Sequence, residues 1–176
     1  MAGIAVALVM MTYLVIVDLG VSAGRIHRGV KVAGIDVGGL TVLEAFNKLD
    51  PIGDQLARSP LNFIPTEAGP PCSIVPEDLG WFPESDETAD LAYEVGREGF
   101  VLSALIDRVR AWTGAIDVGW ADKPSARKVT KFIDDCEGQL EPFGIEIDRA
   151  RLRFRLKQAI GGYPYQQDHE LPLAEN

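Results

Sequence analysis

The chain is 176 residues long, 47% apolar, and carries 26 acidic against 17 basic side chains for a net charge of −9. That composition supports one folded domain with a real core and excludes a disordered chain. The acidic balance excludes a nucleic-acid binder, which needs Lys and Arg to displace counterions from phosphates, and argues equally against peripheral docking on anionic lipid.

Ala2–Val17 is almost continuously apolar and is followed by Asp18 and by the small residues Val21-Ser22-Ala23. A membrane-spanning helix needs about 20 residues, a length the run reaches if Asp18 sits at the interface. Residues 1–24 therefore read as a transmembrane anchor, embedded through residues 2–21. A cleavable signal peptide ending near Ala23 is the rival, and a buried core helix is the third reading. The first two place the remainder outside the cytoplasm, and the anchor makes it a single-pass protein of the cell membrane. Arg25, Arg28 and Lys31 follow the run and no basic residue precedes it, which under the positive-inside rule pulls the other way. A missing upstream basic segment, or an exported domain that carries three basic residues near its anchor, would reconcile the two.

Gly24–Lys31 reads as a polar connector. Val30–Val37 is rich in Val and Ile and reads as a strand, with Gly38-Gly39 turning the chain. Thr41 and Glu44 have the Thr-x-x-Glu spacing of a capping box. Val42, Leu43, Ala45, Phe46 and Leu49 recur at helical intervals until Pro51, where the helix is expected to stop. Leu61–Ile64 and Cys72–Val75 read as two strands around the turn-rich stretch Pro65–Pro71, and Pro76–Trp81 as a further turn. Asp86 is placed to cap a helix through Leu91, Ala92 and Val95 that ends at Gly96. Another helix is expected over Val101–Trp112, ended by Gly114, and a strand over Ala115–Trp120.

Asp122 and Pro124 mark the next helix start. Val129, Phe132, Ile133, Cys136 and Leu140 form an apolar stripe on that helix, which Pro142 ends. Phe143–Ile147 reads as a strand. Asp148 caps a last helix through Leu152, Leu156 and Ile160, ended by Gly161-Gly162. Tyr163–Asn176 reads as a polar, frayed tail. Short strands, a hairpin and about five helices make this an α+β chain, with residues 25–162 as the folded domain and 163–176 as the tail.

The search for chemistry returns little. Gly34, Gly38 and Gly39 lie between strand and helix, where phosphate loops also sit. Their spacing matches no nucleotide fingerprint, and Glu44 would repel a phosphate. His27 and His169, the two histidines, lie far apart in a connector and a tail and read as surface residues. No zinc spacing is present, and no metal or cofactor is expected. The acidic groups Glu84, Asp86, Glu87 and Asp134, Asp135, Glu137 read as solvated helix faces rather than as a glycosidase pair. Cys72 and Cys136 lack the basic surroundings of a reactive thiolate. If the domain is exported, a Cys72–Cys136 disulfide is open to it. Trp81, Tyr93, Trp112 and Trp120 could stack on sugar rings or anchor the core. Arg97, just after a helix, reads as a partner of that helix's C-terminal carbonyls.

The block Gly29-Val30-Lys31-Val32-Ala33-Gly34-Ile35-Asp36-Val37-Gly38-Gly39-Leu40-Thr41, with Glu44-Ala45 after it, resembles the peptidoglycan-binding domain of VanW-type proteins, a module that also precedes the catalytic domain of some bacterial L,D-transpeptidases. Pro76-Glu77-Asp78-Leu79-Gly80 and Ala92-Tyr93-Glu94-Val95-Gly96-Arg97-Glu98-Gly99 resemble later pieces of the same family. The resemblance covers Arg25–Ile160. It implies a single N-terminal transmembrane segment, an extracytoplasmic α+β domain and a cell-wall setting, with peptidoglycan or a cell-wall enzyme as partner. Neither cysteine sits in a transpeptidase nucleophile motif, so the module is expected to be non-catalytic. No VanW domain follows Ile160, which leaves a standalone module, a truncated product or a fragment open. Trp81, Tyr93 and Arg97 are the candidate ligand-binding residues. The alternative is a structural or protein-interaction spacer with no glycan affinity.

Overall fold

A computed structural model describes residues 24–95, 97 and 116–174. The anchor over residues 2–21, the helix over Val101–Trp112 and the candidate Trp112 lie outside the described residues. Among those described, no helix is long and apolar enough to cross a membrane. The described residues form an α+β architecture of four α-helices and two three-stranded sheets.

The stretch expected as one strand is a tight hairpin. Strands β1 (Val30–Val32) and β2 (Ile35–Asp36) pair antiparallel, with Val32 opposite Ile35. Ala33 and Gly34 between them both have positive φ, 47° and 88°. That is the two-residue turn whose twist matches antiparallel strands. Gly34 is doubly required, because a Cβ there would lie 2.7 Å from the Tyr163 carbonyl oxygen. The Gly38-Gly39 turn divides its labour. Gly39 supplies the positive φ of 80°, while a Cβ on Gly38 would meet the Gly29 backbone nitrogen at 2.8 Å. The connector before β1 is no loose linker: Ile26 and His27 are buried, and Ile26 exchanges backbone hydrogen bonds with Leu40 and Gly39 at 2.7 and 2.9 Å. His27, expected at the surface, is thus inside the fold.

Helix α1 (Val42–Arg58) starts at the expected capping box. The Thr41 hydroxyl accepts from the Glu44 N–H at 3.2 Å, and the Glu44 carboxylate accepts from the Thr41 N–H at 2.8 Å. The helix does not stop at Pro51 but runs through it. A proline inside a helix forfeits one hydrogen bond and costs about 3 kcal/mol. Here the carbonyl that loses its donor belongs to Asn47, an exposed residue that water can reach, and Pro51 itself faces solvent. On the opposite face Ala45, Leu49, Gly53, Leu56 and Ala57 are buried, and that continuous burial carries the helix past the break.

Strands β3 (Leu61–Ile64) and β4 (Cys72–Ile74) form the expected hairpin, with Leu61 opposite Ile74 and Phe63 opposite Cys72. A 3-10 turn, Pro76–Leu79, ends at Gly80 in the left-handed region. Helix α2 (Ser85–Glu94) begins one residue before Asp86; Glu84 occupies the cap position, makes no side-chain cap bond, and leaves Asp86 in the first turn. Strand β5 (Ile116–Val118) pairs parallel to β1. Helix α3 (Ala126–Leu140) buries the whole expected stripe, from Val129 to Leu140.

The segment expected as a strand before the last helix is a 3-10 turn, Glu141–Phe143, followed by a single bridge between Ile147 and Leu173. Helix α4 (Arg149–Ala159) is capped by Asp148, whose carboxylate accepts from the N–H groups of Ala150 and Arg151 at 3.0 and 2.9 Å. The stretch after α4, expected as a frayed tail, belongs to the domain. Strand β6 (Asp168–Glu170) pairs parallel to β3, Leu171 is buried, and His169 stacks on Phe63 with ring centroids 5.5 Å apart. Both sheets thus have one plan: an antiparallel hairpin plus a parallel third strand supplied from far along the chain.

Cys72 on β4 and Cys136 on α3 are joined as a disulfide, with Cα atoms 5.6 Å apart across a sequence separation of 64. Both residues are buried to 1% exposure. Closing so long a loop in the unfolded chain corresponds to about 4 kcal/mol of stabilisation in the chain-entropy model. A Cys136→Ser chain is expected to lose stability of that order in urea unfolding and to become indifferent to reductant, whereas the parent chain loses stability when reduced.

The capping box yields a second expectation. Hydrogen bonds from the Thr41 N–H and hydroxyl, aided by the Arg25 charge, hold the Glu44 carboxyl below its ordinary value of 4.5. A group whose folded pKa is depressed stabilises above its unfolded pKa and loses that contribution as pH falls through the folded one. Glu44→Gln is therefore expected to flatten the stability profile below pH 4.5, read as the urea midpoint against pH.

Candidate functional site

Among the described residues the fold builds a mainly apolar cleft, open to solvent and about 760 Å³ in volume, and a second, more polar one of about 560 Å³ beside Asp134, Glu137 and Glu146. The walls of the first come from the β1–β2 turn, the loop joining β5 to α3, and one face of α4 together with the residues that follow it.

The floor is aromatic. Trp81 follows the 3-10 turn and Trp120 follows β5; their rings meet edge to face, centroids 5.9 Å apart and planes at 85°. Such edge-on packing matches a positive ring edge to a negative ring face. The Trp120 indole N–H donates to the Gly161 carbonyl at 2.9 Å, a buried bond that satisfies the one polar atom of the ring. Gly161 is the residue on which this arrangement closes. Its φ is +73°, and a Cβ there would lie 2.5 Å from Trp120 Cδ1 and 2.9 Å from Trp81 Cζ2. Gly53 of α1 is pressed from another side, where a Cβ would meet Pro83 at 2.8 Å and Trp120 at 3.2 Å. The two indoles are thus boxed between α1 and the end of α4.

The rim is polar and carries both signs of charge. Asp117 and Asp122 line it, and each has a backbone donor: Asp117 accepts from the Gly34 N–H at 3.1 Å and Asp122 from the Phe82 N–H at 2.9 Å. Lys123, Arg153 and Lys157 line it as well, all of them exposed. Tyr163, 48% exposed, stands at the edge as an accessible aromatic ring.

Of the sequence-predicted ligand residues, Trp81 lines this cleft, but at 1% exposure it serves as floor and offers no open ring face. Tyr93 and Arg97 do not line it. They pair with each other, the Arg97 guanidinium lying 3.9 Å over the Tyr93 ring. Arg97 also donates to the Tyr93 carbonyl, in keeping with the helix-end reading, and to the Arg25 carbonyl at 2.7 Å. The cleft residues that sequence reasoning missed are Tyr163, Lys123, Arg153 and Lys157. Tyr163 falls in the stretch whose polarity reads as a tail, and nothing in a run of alternating arginines says which of them face a cavity.

Neither acidic group lines the apolar cleft. Asp134 and Glu137 clamp Arg149 across the start of α4. Glu84 has its carboxyl pushed above the ordinary range by its hydrogen bond and charge contact with Glu87, on a fully exposed surface. No group of His, Cys, Asp and Glu suited to a metal ion occurs among the described residues.

Gly161→Ala is expected to cost more than about 2 kcal/mol, since a positive φ and a collision with two packed indoles add together; a urea midpoint equal to the parent's would contradict the packing described. Compared with protein-family models, curated proteins and solved structures, the chain matches none.

Proposed function

We propose that this chain is a membrane-anchored, extracytoplasmic, non-catalytic module that binds or positions peptidoglycan. The observation that carries the reading is the open cleft, with an indole floor, an accessible Tyr163 at its edge and charged groups around its rim. Amino sugars present one rather apolar ring face and a belt of hydrogen-bonding groups, and stem peptides add charges; the exposed Tyr163 ring, bordered by Lys, Arg and Asp, complements both. The buried Cys72–Cys136 disulfide supports an extracytoplasmic setting, because such bonds persist in oxidising compartments. The resemblance of Gly29–Ala45 to the peptidoglycan-binding domain of VanW-type proteins supports the choice of ligand, and the apolar run over residues 2–21 supports the anchor. In this reading the ligand site moves from Tyr93 and Arg97 to the cleft, with Tyr163 as the stacking residue.

The alternative is a spacer that holds a cell-wall enzyme near the membrane without touching glycan. The internal engagement of Trp81, Tyr93 and Arg97 favours it. Sedimentation of the full chain with purified sacculi separates the two. Retention above an acidic control protein of similar size is expected, and Tyr163→Ala is expected to weaken it by roughly fivefold, the equivalent of about 1 kcal/mol for an aromatic contact. No retention above the control would leave the spacer reading in place.

A further inference from the structure

Helix α4 is an anomaly in an acidic chain. Arg149, Arg151, Arg153, Arg155 and Lys157 are its charged residues, and it holds no carboxylate. The structure sorts these cations into two sets. Arg149 pairs with Asp134 and Glu137, Arg151 with its cap Asp148 at 3.3 Å, and Arg155 with Glu170 at 3.9 Å. Among the described residues Arg153 has only the neutral Thr130 hydroxyl, at 2.9 Å, and Lys157 has no ion pair. Arg153 and Lys157 are also the two cations of α4 that line the cleft. Spaced four residues apart, they stand one above the other on the same helix face.

We infer that the cleft is a carboxylate-selective site, in which Arg153 and Lys157 hold an anionic group of the ligand while Trp120 and Tyr163 border its apolar face. Lys123 adds a third cation at the rim. The Asp117 and Asp122 carboxylates each accept a hydrogen bond from a backbone N–H, which leaves the cleft with three cations against two carboxylates on a chain of net charge −9. Arg supplies a planar fork suited to a carboxylate and Lys a mobile point charge. The inference takes its ligand from the peptidoglycan reading, where carboxylates occur on the stem peptide and, where the glycan carries no peptide, on the lactyl ether of muramic acid; the site itself is argued from the α4 cations.

The test compares N-acetylmuramic acid with N-acetylglucosamine, which lacks the lactyl carboxylate. The full chain is titrated with each while the Trp120 indole N–H signal is followed by NMR. The acid is expected to bind about tenfold more tightly, with a preference that shrinks as salt rises. The Arg153→Gln/Lys157→Gln double variant should lose the preference, and Arg155→Gln, on the same helix but paired with Glu170, should keep it. Equal affinity for the two sugars, or no response to either, overturns the inference. Sacculi binding, measured in parallel, separates it from the broader reading. Preference for the acid without sacculi retention leaves the carboxylate site standing and removes the peptidoglycan polymer as its ligand. Sacculi retention without preference for the acid does the reverse.

Discussion

The hydrogen bond from the Trp120 indole to the Gly161 carbonyl, in the only space a glycine leaves there, is the contact on which the cleft depends. It ties Trp120, two residues past β5, to the end of α4 and packs Trp81 against both. Three segments far apart in the chain thereby share one packed point. A tryptophan pays for deep burial only if its N–H finds an acceptor, and a helix end leaves carbonyls in need of donors. Each group solves the other's problem. Because the two indoles pack edge to face against backbone with no room for a methyl group, the floor of the cleft is rigid, and the variable chemistry is confined to the rim.

The two sheets are held by different means. Sheet β2-β1-β5 is closed from inside by Val30, Val32 and Ile35, and the chain leading into it is held by Ile26, which bonds to both Gly39 and Leu40. Sheet β4-β3-β6 is crossed by the Cys72–Cys136 disulfide, which anchors it to α3 beside the Phe63–Phe132 contact at 6.3 Å. Neither sheet is large enough to be stable by itself. Each relies on a distant strand and on a helix laid against it, and the cleft lies where α4 and the β5–α3 loop face each other.

Much of the local structure was legible because it rests on neighbours in sequence. The Thr41–Glu44 box, the Asp148 cap and the α3 stripe from Val129 to Leu140 all act within one or two helical turns. Where reading failed, a local signal met a tertiary force. Pro51 carries a strong stop signal, yet burial of Gly53, Leu56 and Ala57 on the opposite face outweighs it. Val30–Val37 has the composition of one strand, and the positive φ of Ala33, an unusual choice for a residue with a Cβ, together with that of Gly34, turns it into two. Tyr163–Ala174 looks polar and loose, but polarity is what a strand at a sheet edge shows to solvent.

The site was the least legible part. Two of its three cations belong to a helix with a regular alternation of Arg and apolar residues, and no local pattern says which residues of that helix meet an acid. Asp134, Glu137, Asp148 and Glu170 claim three of the helix's five cations, and the remaining two face the cleft. By itself the sequence determined an acidic α+β domain with the caps of its first and last described helices, the buried stripe of α3 and the Gly38-Gly39 turn, because capping bonds, i to i+4 burial and glycine sterics operate over a few residues. Tertiary structure alone decided which strands complete the sheets, which tryptophans form a floor and which charges are left unneutralised. Those outcomes depend on partners as far apart as Asn62 and Asp168, 106 residues along the chain, and no local pattern encodes a pairing across that distance.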